Sequence, residues 1–173
     1  MKAALTGTPG VGKSTIALLL QKEGLVVVEV GDLARQEGLL LELDKERDSY
    51  DVDLDGLEDL TRRMQGDVVL VGHLSHLLDV DLVIVLRCQP RQLAERLQAR
   101  RYSAAKVAEN VEAEALDVIL VESIEGGAEV CEVDTTGRTP EEVASSVLEI
   151  LHGERTKYLP GHLDWSQEAL GWD

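Results

Sequence analysis

Near the start of the chain, residues 7–14 read GTPGVGKS, and this stretch constrains the fold more than any other. It matches the pattern G-x-x-x-x-G-K-[ST] without a gap. Glycines let such a loop turn its backbone N–H groups toward phosphate oxygens, and the helix that follows directs the positive end of its dipole at the same oxygens. The sequence therefore predicts a phosphate-binding loop (P-loop) between a strand and a helix.

Two side chains of this loop have the chemistry that a bound nucleotide requires. Lys13 is predicted to place its ammonium group on the β and γ phosphates, and Ser14 is predicted to offer its hydroxyl to Mg²⁺. ATPases, GTPases and small-molecule kinases all use such a loop, so the loop alone leaves the reaction open. The chain has no Asn-Lys-x-Asp motif of the kind that reads guanine, which favours ATP as the nucleotide.

Short aliphatic runs alternate with helical stretches along the chain. Because the runs are continuous rather than alternating, they are typical of parallel strands that are covered on both faces. The predicted strands span residues 3–6, 25–30, 67–71, 81–86 and 128–133, and the predicted helices span residues 13–24, 89–101, about 103–125 and 140–153. This order predicts an α/β, three-layer P-loop NTPase fold.

The composition restricts the partners and the compartment. The chain has 33 acidic against 17 basic residues, a formal charge of −16, so direct binding to nucleic acid would need a local basic patch. This acidity fits either adaptation to concentrated salt or an ordinary acidic cytosolic protein. No apolar stretch approaches the ~20 residues that span a bilayer. Cys88 and Cys131 are predicted to be buried free thiols. We therefore expect a cytoplasmic protein without membrane contact.

Several segments, taken in their order and spacing, resemble the adenylate kinase isoenzyme 6 family, which has archaeal members. The segments are GTPGVGKST (7–15), VGDLAR (30–35), GHLSH (72–76), VLRC (85–88), RLQARRY (96–102), ENVEAE (109–114) and EVDTTG (132–137). The resemblance implies an adenylate-kinase-like fold with a five-stranded parallel sheet. It also implies phosphoryl transfer from ATP to AMP with Mg²⁺, some ATPase activity, and a part in maturation of the small ribosomal subunit through binding a ribosomal protein.

The resemblance also implies how the chain is divided. Residues 1–152 would form a nucleoside monophosphate kinase domain, with an AMP-binding region at about 29–54 and a short lid at about 99–109. Residues 153–173 would form a C-terminal tail outside this core. The lid has no four-cysteine pattern, so a zinc lid is excluded.

Site residues follow from the same resemblance. The ATP phosphate site would consist of Gly10, Gly12, Lys13, Ser14 and Thr15. Backbone groups of the segment 134–137, Thr136 and Gly137 above all, would meet the adenine edge unless they form only a strand-to-helix turn. Gly31, Asp32 and Arg35 would open the AMP site, where a guanidinium fork fits phosphate oxygens. A surface arginine is the alternative for Arg35.

Two arginines at the lid have separate interpretations. Arg100 is predicted to close over the transferring phosphoryl group, as an arginine finger supplied in cis does. Arg96 lies one helical turn earlier, which places both guanidinium groups on one helix face. A helix-surface ion pair with Glu95 or another nearby acid is the alternative for Arg96.

The end of the third predicted strand departs from the family pattern. Family members usually have an acid there that holds the hydration shell of Mg²⁺, two residues before a histidine, but this chain has Val71. Ser14, the phosphates and water therefore remain the predicted Mg²⁺ ligands, with Asp32 as a further candidate; the alternative is weakened catalysis. His73 matches the functional histidine and would orient a water or a phosphate oxygen, or else make only a structural hydrogen bond. His76 is assigned no role.

Two segments and three functions stay open at this point. The acidic stretch 39–59 lacks a clean period and is interpreted as a solvated, mobile segment over the AMP site. The tail with Trp165 and Trp172 either packs on the domain or anchors a partner. The preferred function is an ATP:AMP phosphotransferase. A nucleotide-switched ATPase of ribosome assembly with little kinase turnover and a kinase for another small acceptor are the alternatives.

Overall fold

A parallel sheet of five strands forms the centre of the fold. The computed structural model describes residues 1–44 and 49–169. The strands are β1 (Lys2–Thr6), β2 (Val27–Glu29), β3 (Leu40–Asp44), β4 (Ser49–Val52), β5 (Val68–Val71), β6 (Leu82–Arg87) and β7 (Glu129–Asp134). The main sheet has the order β2-β5-β1-β6-β7, and every neighbouring pair in it is parallel. The α/β fold with five parallel strands that the sequence predicts is confirmed.

Helices cover both faces of this sheet. They are α1 (Lys13–Lys22), α2 (Val30–Gln36), α3 (Leu54–Arg62), α4 (Pro90–Ala99), α5 (Ala104–Ala115), α6 (Val118–Glu125), α7 (Pro140–Leu151) and the short α8 (Ser166–Ala169). Single turns of 3₁₀ helix lie at Ser75–Leu77 and Thr156–Tyr158. Among the described residues, no helix is long and apolar enough to cross a membrane.

Alternate residues of each strand pack on opposite layers, which explains the continuous aliphatic runs. One core contains Leu5, Val71 and Ile84 together with residues of α1, α4, α5 and α7. On the other face, Leu70 packs with α2 and α3, and Val83 packs with α6. All four residues of β5 and all six of β6 are buried, as central strands covered on both sides should be.

Local signals in the sequence account for several helix boundaries. Thr139 caps α7 in a capping box with Glu142, whose carboxylate in turn accepts the Thr139 backbone N–H at 2.8 Å. Ser103 caps α5 by accepting the backbone N–H of Lys106 at 3.2 Å. Pro90 occupies the first turn of α4, where a missing N–H costs nothing.

The single helix predicted over residues 103–125 was wrong, because the structure has two helices there. The chain breaks between α5 and α6 at Asp117, which adopts a left-handed conformation with φ 57°. The Asp117 carboxylate accepts a hydrogen bond from the buried guanidinium of Arg87, at the end of β6. The break is therefore fixed by a contact distant in sequence, which helical periodicity does not reveal.

Residues 39–59 lack a clean period in the sequence, and no strand or helix is predicted there, but their described part has regular secondary structure. Antiparallel strands β3 and β4 form a hairpin there, and α3 begins at Leu54; residues 45–48 lie outside the described residues. Leu39, Leu40 and Val52 pack against the core beneath α2 and α3. The register shifts between Leu40 and Leu43, so the alternation expected of a strand is interrupted.

Candidate nucleotide site

The P-loop joins the carboxyl end of β1 to α1 at the centre of the sheet, where ligands bind in open α/β folds. Gly7 and Gly10 have φ angles of 136° and 97°, which favour glycine. A Cβ atom at Gly7 would lie 2.4 Å from the Leu86 carbonyl oxygen, and one at Gly10 would lie 2.8 Å from the Leu97 side chain. Both the curl of the loop and its close packing therefore require glycine.

Lys13 is the first residue of α1, and its side chain folds back over the loop. The Nζ atom donates hydrogen bonds to the carbonyl oxygens of Gly7 at 2.6 Å and Thr8 at 3.1 Å. Burial lowers the pKa of Lys13 from 10.5 to about 8, although the carboxylates of Glu114 and Glu29 act in the opposite direction. Phosphate oxygens in the loop would favour the charged form of this amine.

A cavity of about 170 Å³ opens beside the P-loop and combines three kinds of group. Loop backbone, aliphatic side chains and guanidinium groups line it: Gly10, Val11, Gly12, Thr15, Ile16, Arg96, Arg100, Thr135, Arg138, Pro140 and Val143. In a chain with a formal charge of −16, three arginines at one cavity reverse the local charge. Such a lining fits a ligand that joins an apolar ring to a polyanion.

Arg96 joins the P-loop to the end of β7. Its guanidinium donates to the carbonyl oxygen of Val11 at 3.3 Å, to the Thr135 hydroxyl at 3.2 Å and to the Thr135 carbonyl at 3.1 Å. The alternative of a surface ion pair with Glu95 does not describe this side chain; Arg91 is the residue that approaches Glu95, at 4.0 Å.

The loop after β7 contacts the cavity through one residue of the predicted segment 134–137 and through the residue that follows that segment. Thr135 and Arg138 line the cavity, whereas Thr136 and Gly137 do not. The Thr136 hydroxyl accepts the Gln89 backbone N–H at 2.8 Å, and the Gly137 N–H donates to Gln92 at 3.1 Å. The role of Thr136 and Gly137 in binding adenine therefore stays a prediction.

Arg100 lies between α4 and α5, in the predicted lid. It is the C-cap residue of α4 and lines the cavity. Arg101 follows with a left-handed φ of 61°, which turns the chain into the Ser103 cap of α5. Four residues, 100–103, therefore separate the two helices, so the lid is short.

The residues predicted to open the AMP site lie on α2, which follows β2 without a break. Gly31 and Asp32 are in its first turn, and both are exposed. Arg35 is also exposed, and its guanidinium donates to the Asp32 carboxylate at 2.8 Å. A solvent-facing ion pair of this kind has little net stability, so Arg35 remains available to an incoming phosphate.

Val71 is fully buried. The residue that pairs with it on the neighbouring strand is an acid. Glu29 is the last residue of β2 and pairs in register with Val71 of β5. Both belong to the face that packs on α1, since Val71 and Val27 contact the core that contains Ile16. The Glu29 carboxylate lies within hydrogen-bonding reach of the Ser14 hydroxyl. Sequence reasoning missed this residue, because an acid at the end of a strand points to the site only once the strand order places β2 beside β5.

Electrostatics at Glu29 reflect its position between several charges. Burial and, after it, the negative charge of Asp32 raise the pKa of Glu29, while Lys13 and the Ser14 hydroxyl oppose that change. Ser14 and Glu29 together present a hydroxyl and a carboxylate, the hard oxygen donors that Mg²⁺ prefers. The donor set therefore fits a magnesium ion that is shared with phosphate oxygens. No group of three or more His, Cys, Asp or Glu side chains within residues 1–44 and 49–169 is arranged to hold a metal alone.

The two histidines after β5 have different environments. His73 is exposed at the mouth of the loop, where partial loss of hydration and then the charges of Lys13 and His76 lower its pKa. His76 is buried, with Nδ1 at 3.1 Å from the Thr6 hydroxyl and Nε2 at 3.0 Å from the Glu122 carboxylate. His76 thus connects β1 to α6, whereas the exposed side chain of His73 is accessible to a ligand.

Next to the P-loop, the buried guanidinium of Arg87 forms ion pairs with three carboxylates. Its Nε donates to Glu114 at 2.9 Å and its Nη1 donates to Glu132 at 2.6 Å, while Nη2 contacts Asp117. Arg87, Glu114 and Glu132 are almost completely buried. A charged group in such a place needs partners of opposite sign, and each of these groups has them.

The described part of the tail packs on this same group. The Trp165 ring lies over the Arg87 guanidinium, with 5.0 Å from Cζ to the ring centroid. The Gly161 backbone N–H donates to Glu132 at 2.9 Å, and the Gln89 amide donates to Glu168 at 3.0 Å. Of the two interpretations of the tail, packing on the domain therefore holds for Trp165. Trp172 lies outside the described residues.

Comparison with known proteins agrees with this geometry. The family model described as an AAA domain matches residues 4–117. "Putative adenylate kinase" from Archaeoglobus fulgidus is 46% identical over 97% of this chain and 93% of its own length. Proteins of the same name from Thermococcus gammatolerans and Methanothermobacter thermautotrophicus are 48% and 47% identical, over 96% of this chain and 94% and 98% of their own lengths. The family resemblance predicted from the sequence is confirmed, and the chain belongs to the P-loop family of these archaeal adenylate-kinase-like proteins.

Proposed function

We propose that this protein transfers a phosphoryl group from ATP, with Mg²⁺, to AMP. The observation that carries the proposal is the cavity in which three arginines face the P-loop of an otherwise acidic chain. Relatives named adenylate kinase at 46–48% identity over nearly the whole chain support the same reaction class.

ATP would occupy the cavity with its triphosphate in the P-loop. Backbone N–H groups from Gly10 to Thr15 would surround the β phosphate, and Lys13 would exchange its carbonyl partners for phosphate oxygens. Aliphatic groups of Val11 and Val143 line the same cavity, where they would contact the base.

Ser14 and Glu29 would hold Mg²⁺, with Asp32 next to them. Bound there, the ion would neutralise charge on the β and γ phosphates. The Glu29 carboxylate lies close to the Ser14 hydroxyl, so the acid missing at Val71 would be supplied from β2. Weak catalysis, the outcome that Val71 suggests by itself, is therefore not required.

AMP would approach from the side of α2, within the proposed region 29–54. Arg35 would leave Asp32 to bind the AMP phosphate in a two-point contact. Gly31 has open space above its Cα, since a Cβ there would meet nothing within 4 Å. The proposed lid, at about 99–109, would bring Arg100 over the transferring group.

Transfer would depend on position and charge, with no covalent intermediate on the protein. Arg100 and Lys13 would stabilise the charge on the equatorial oxygens of the transferring group. His73, exposed at the end of β5, would orient a phosphate oxygen or a water at the acceptor side. With its lowered pKa the ring is neutral at pH 7, so it would act as a hydrogen-bonding group.

The acceptor assay tests this proposal. ATP and Mg²⁺ are incubated with AMP, CMP, UMP or GMP in turn, and nucleoside diphosphate is measured. We expect AMP to accelerate the loss of ATP with two ADP formed per event. Equal stimulation by all four acceptors, or by none of them, would contradict the assignment of AMP.

A second function is favoured by the acidic surface, which suits a basic partner such as a small-subunit ribosomal protein. In that role the chain would hydrolyse ATP slowly as a switch in ribosome assembly, with little kinase turnover. ATP-dependent capture of a purified basic ribosomal protein, combined with negligible ADP formation from AMP, would favour this alternative. Capture that does not respond to ATP would argue against it.

A further inference from the structure

Glu114 is a buried carboxylate whose two oxygen atoms serve different parts of the fold. Its Oε2 accepts the Thr8 hydroxyl of the P-loop at 2.5 Å. Its Oε1 accepts the Arg87 Nε–H at 2.9 Å and the Cys88 backbone N–H at 3.0 Å. Only 3% of Glu114 is exposed, so each of these hydrogen bonds is sheltered from water.

Thr8, the P-loop partner of Glu114, also contacts the groups that would bind phosphate. The Thr8 carbonyl oxygen accepts hydrogen bonds from Lys13 Nζ at 3.1 Å and from the Val11 backbone N–H at 3.3 Å. The Thr8 side chain is therefore bound to Glu114, while its backbone orders the turn that would receive phosphate. Moving Thr8 would move the Lys13 ammonium and the Val11 N–H together.

The helix that carries Glu114 is the one that continues from the lid. Helix α5 begins at Ala104, directly after the segment that contains Arg100, and Glu114 lies near its other end. Helices α4 and α5 flank that segment, and α4 packs under Gly10 through Leu97. One side chain therefore connects the lid helix with the loop that would hold the phosphates.

We propose that Glu114 is a positioning residue, which holds the P-loop in its phosphate-binding shape through Thr8 and ties it to the lid helix α5. It contacts no reacting atom and acts through Thr8. The proposal rests on the proposed function only in that the P-loop binds ATP. A role in stability alone is the competing explanation, since Glu114 also neutralises Arg87.

Substitution of Thr8 separates these explanations, because it leaves the Glu114–Arg87 pair in place. Thr8→Val removes the hydroxyl at nearly constant shape, and Thr8→Ser keeps it. For Thr8→Val we expect kcat to fall about tenfold or more and the affinity for MgATP to fall about tenfold, because the loop must then be ordered by the ligand. Thr8→Ser should restore most of both quantities. Calorimetric titration with MgATP measures the affinity independently of turnover.

Asp117→Asn is the matched control for the buried charge group. Asp117 contacts Arg87 but not the P-loop, and asparagine tolerates its left-handed backbone. We expect this variant to lower the thermal unfolding midpoint while kcat and MgATP affinity stay close to those of the parent. Equal losses of kcat in Asp117→Asn and Thr8→Val would overturn the proposal, because the effect would then follow stability.

Two further outcomes are decisive. If the parent protein is active and Thr8→Val matches it in kcat and MgATP affinity, the role of Glu114 is refuted while the proposed function stands. If the parent forms no ADP from AMP, the proposed function fails, and the MgATP affinities still decide the role of Glu114. Should Thr8→Val fail to fold, Thr8→Ala replaces it, since this variant also removes the hydroxyl and leaves the Glu114–Arg87 pair unaltered. Parent-like MgATP affinity in Thr8→Ala would refute the proposal.

Discussion

Glu29 and Val71 are register partners on adjacent parallel strands and belong to the sheet face that packs on α1. The P-loop residue Ser14 is the second residue of the same helix. Acids at these two positions would therefore lie on neighbouring strands, on the sheet face that packs on the helix after the P-loop. The family resemblance predicts an acid on the strand of Val71, and this chain has an acid on β2, at Glu29.

Removal of the Glu29 charge tests this exchange. In Glu29→Gln, we expect the Mg²⁺ concentration needed for half-maximal ATP binding to rise about tenfold, because the proposed metal site loses its charged oxygen donor. Titration of Mg²⁺ at fixed ATP, followed calorimetrically, measures the effect. Glu37→Gln, at an exposed position after α2, is the control. An unchanged Mg²⁺ requirement in Glu29→Gln would exclude Glu29 from the metal site.

Arg100 should matter far more than other arginines near α4. We expect Arg100→Ala to lower kcat by about three orders of magnitude or more, because a guanidinium that neutralises a transferring phosphoryl group acts mainly in the transition state. Steady-state kinetics with ATP and AMP measure this loss. Arg91→Ala, on the exposed face of the same helix, should have parent-like kcat. Full activity in Arg100→Ala would refute the lid assignment.

The tail should stabilise the domain through Trp165. Truncation to Ala removes the ring from the buried Arg87 guanidinium, and we expect the free energy of unfolding to fall by about 1–2 kcal/mol. Chemical denaturation measures the difference. The control is Leu159→Ala, which truncates a tail side chain that is 59% exposed. Equal effects of the two substitutions would mean that the contact with Arg87 contributes nothing specific.

The two thiols give a prediction about alkaline stability. Burial raises the pKa of Cys88 and of Cys131 from 9.0 to about 11. The unfolded chain therefore loses these protons first, so the stability that depends on them is complete below pH 9 and is lost as pH rises toward 11. Denaturation of the parent and of a Cys88→Ala/Cys131→Ala variant should show a difference in unfolding free energy that shrinks over this range. A difference that is constant with pH would contradict buried, protonated thiols.

The sequence specifies the parts of this site that depend on local pattern. GTPGVGKS defines the P-loop, since its glycines and its helix start are contiguous, and the aliphatic runs define a doubly covered sheet. Contacts between distant segments were not predictable in this way. Asp117 ends α5 because Arg87 of β6 reaches it, and the hairpin of β3 and β4 is concealed by an irregular register.

The same limit explains which functional candidates the sequence missed. Glu114 stands in the quoted segment ENVEAE, but its contact with Thr8 spans 106 residues. Arg138 lies one residue after the predicted EVDTTG segment and reaches the cavity that Gly137 does not. Glu29 becomes informative only when the strand order places β2 beside β5. In each case the sequence shows the type of residue, but only the folded structure shows which distant residue or cavity it contacts.

The fate of the γ phosphate of ATP tests the central claim most directly. ATP labelled with ³²P at the γ position is mixed with AMP, Mg²⁺ and the parent protein, and the products are separated. The proposed phosphotransfer predicts that the label appears in ADP, as the β phosphate newly formed on AMP, and that Lys13→Ala abolishes this transfer. Label released only as inorganic phosphate, at a rate that AMP does not change, would contradict the account.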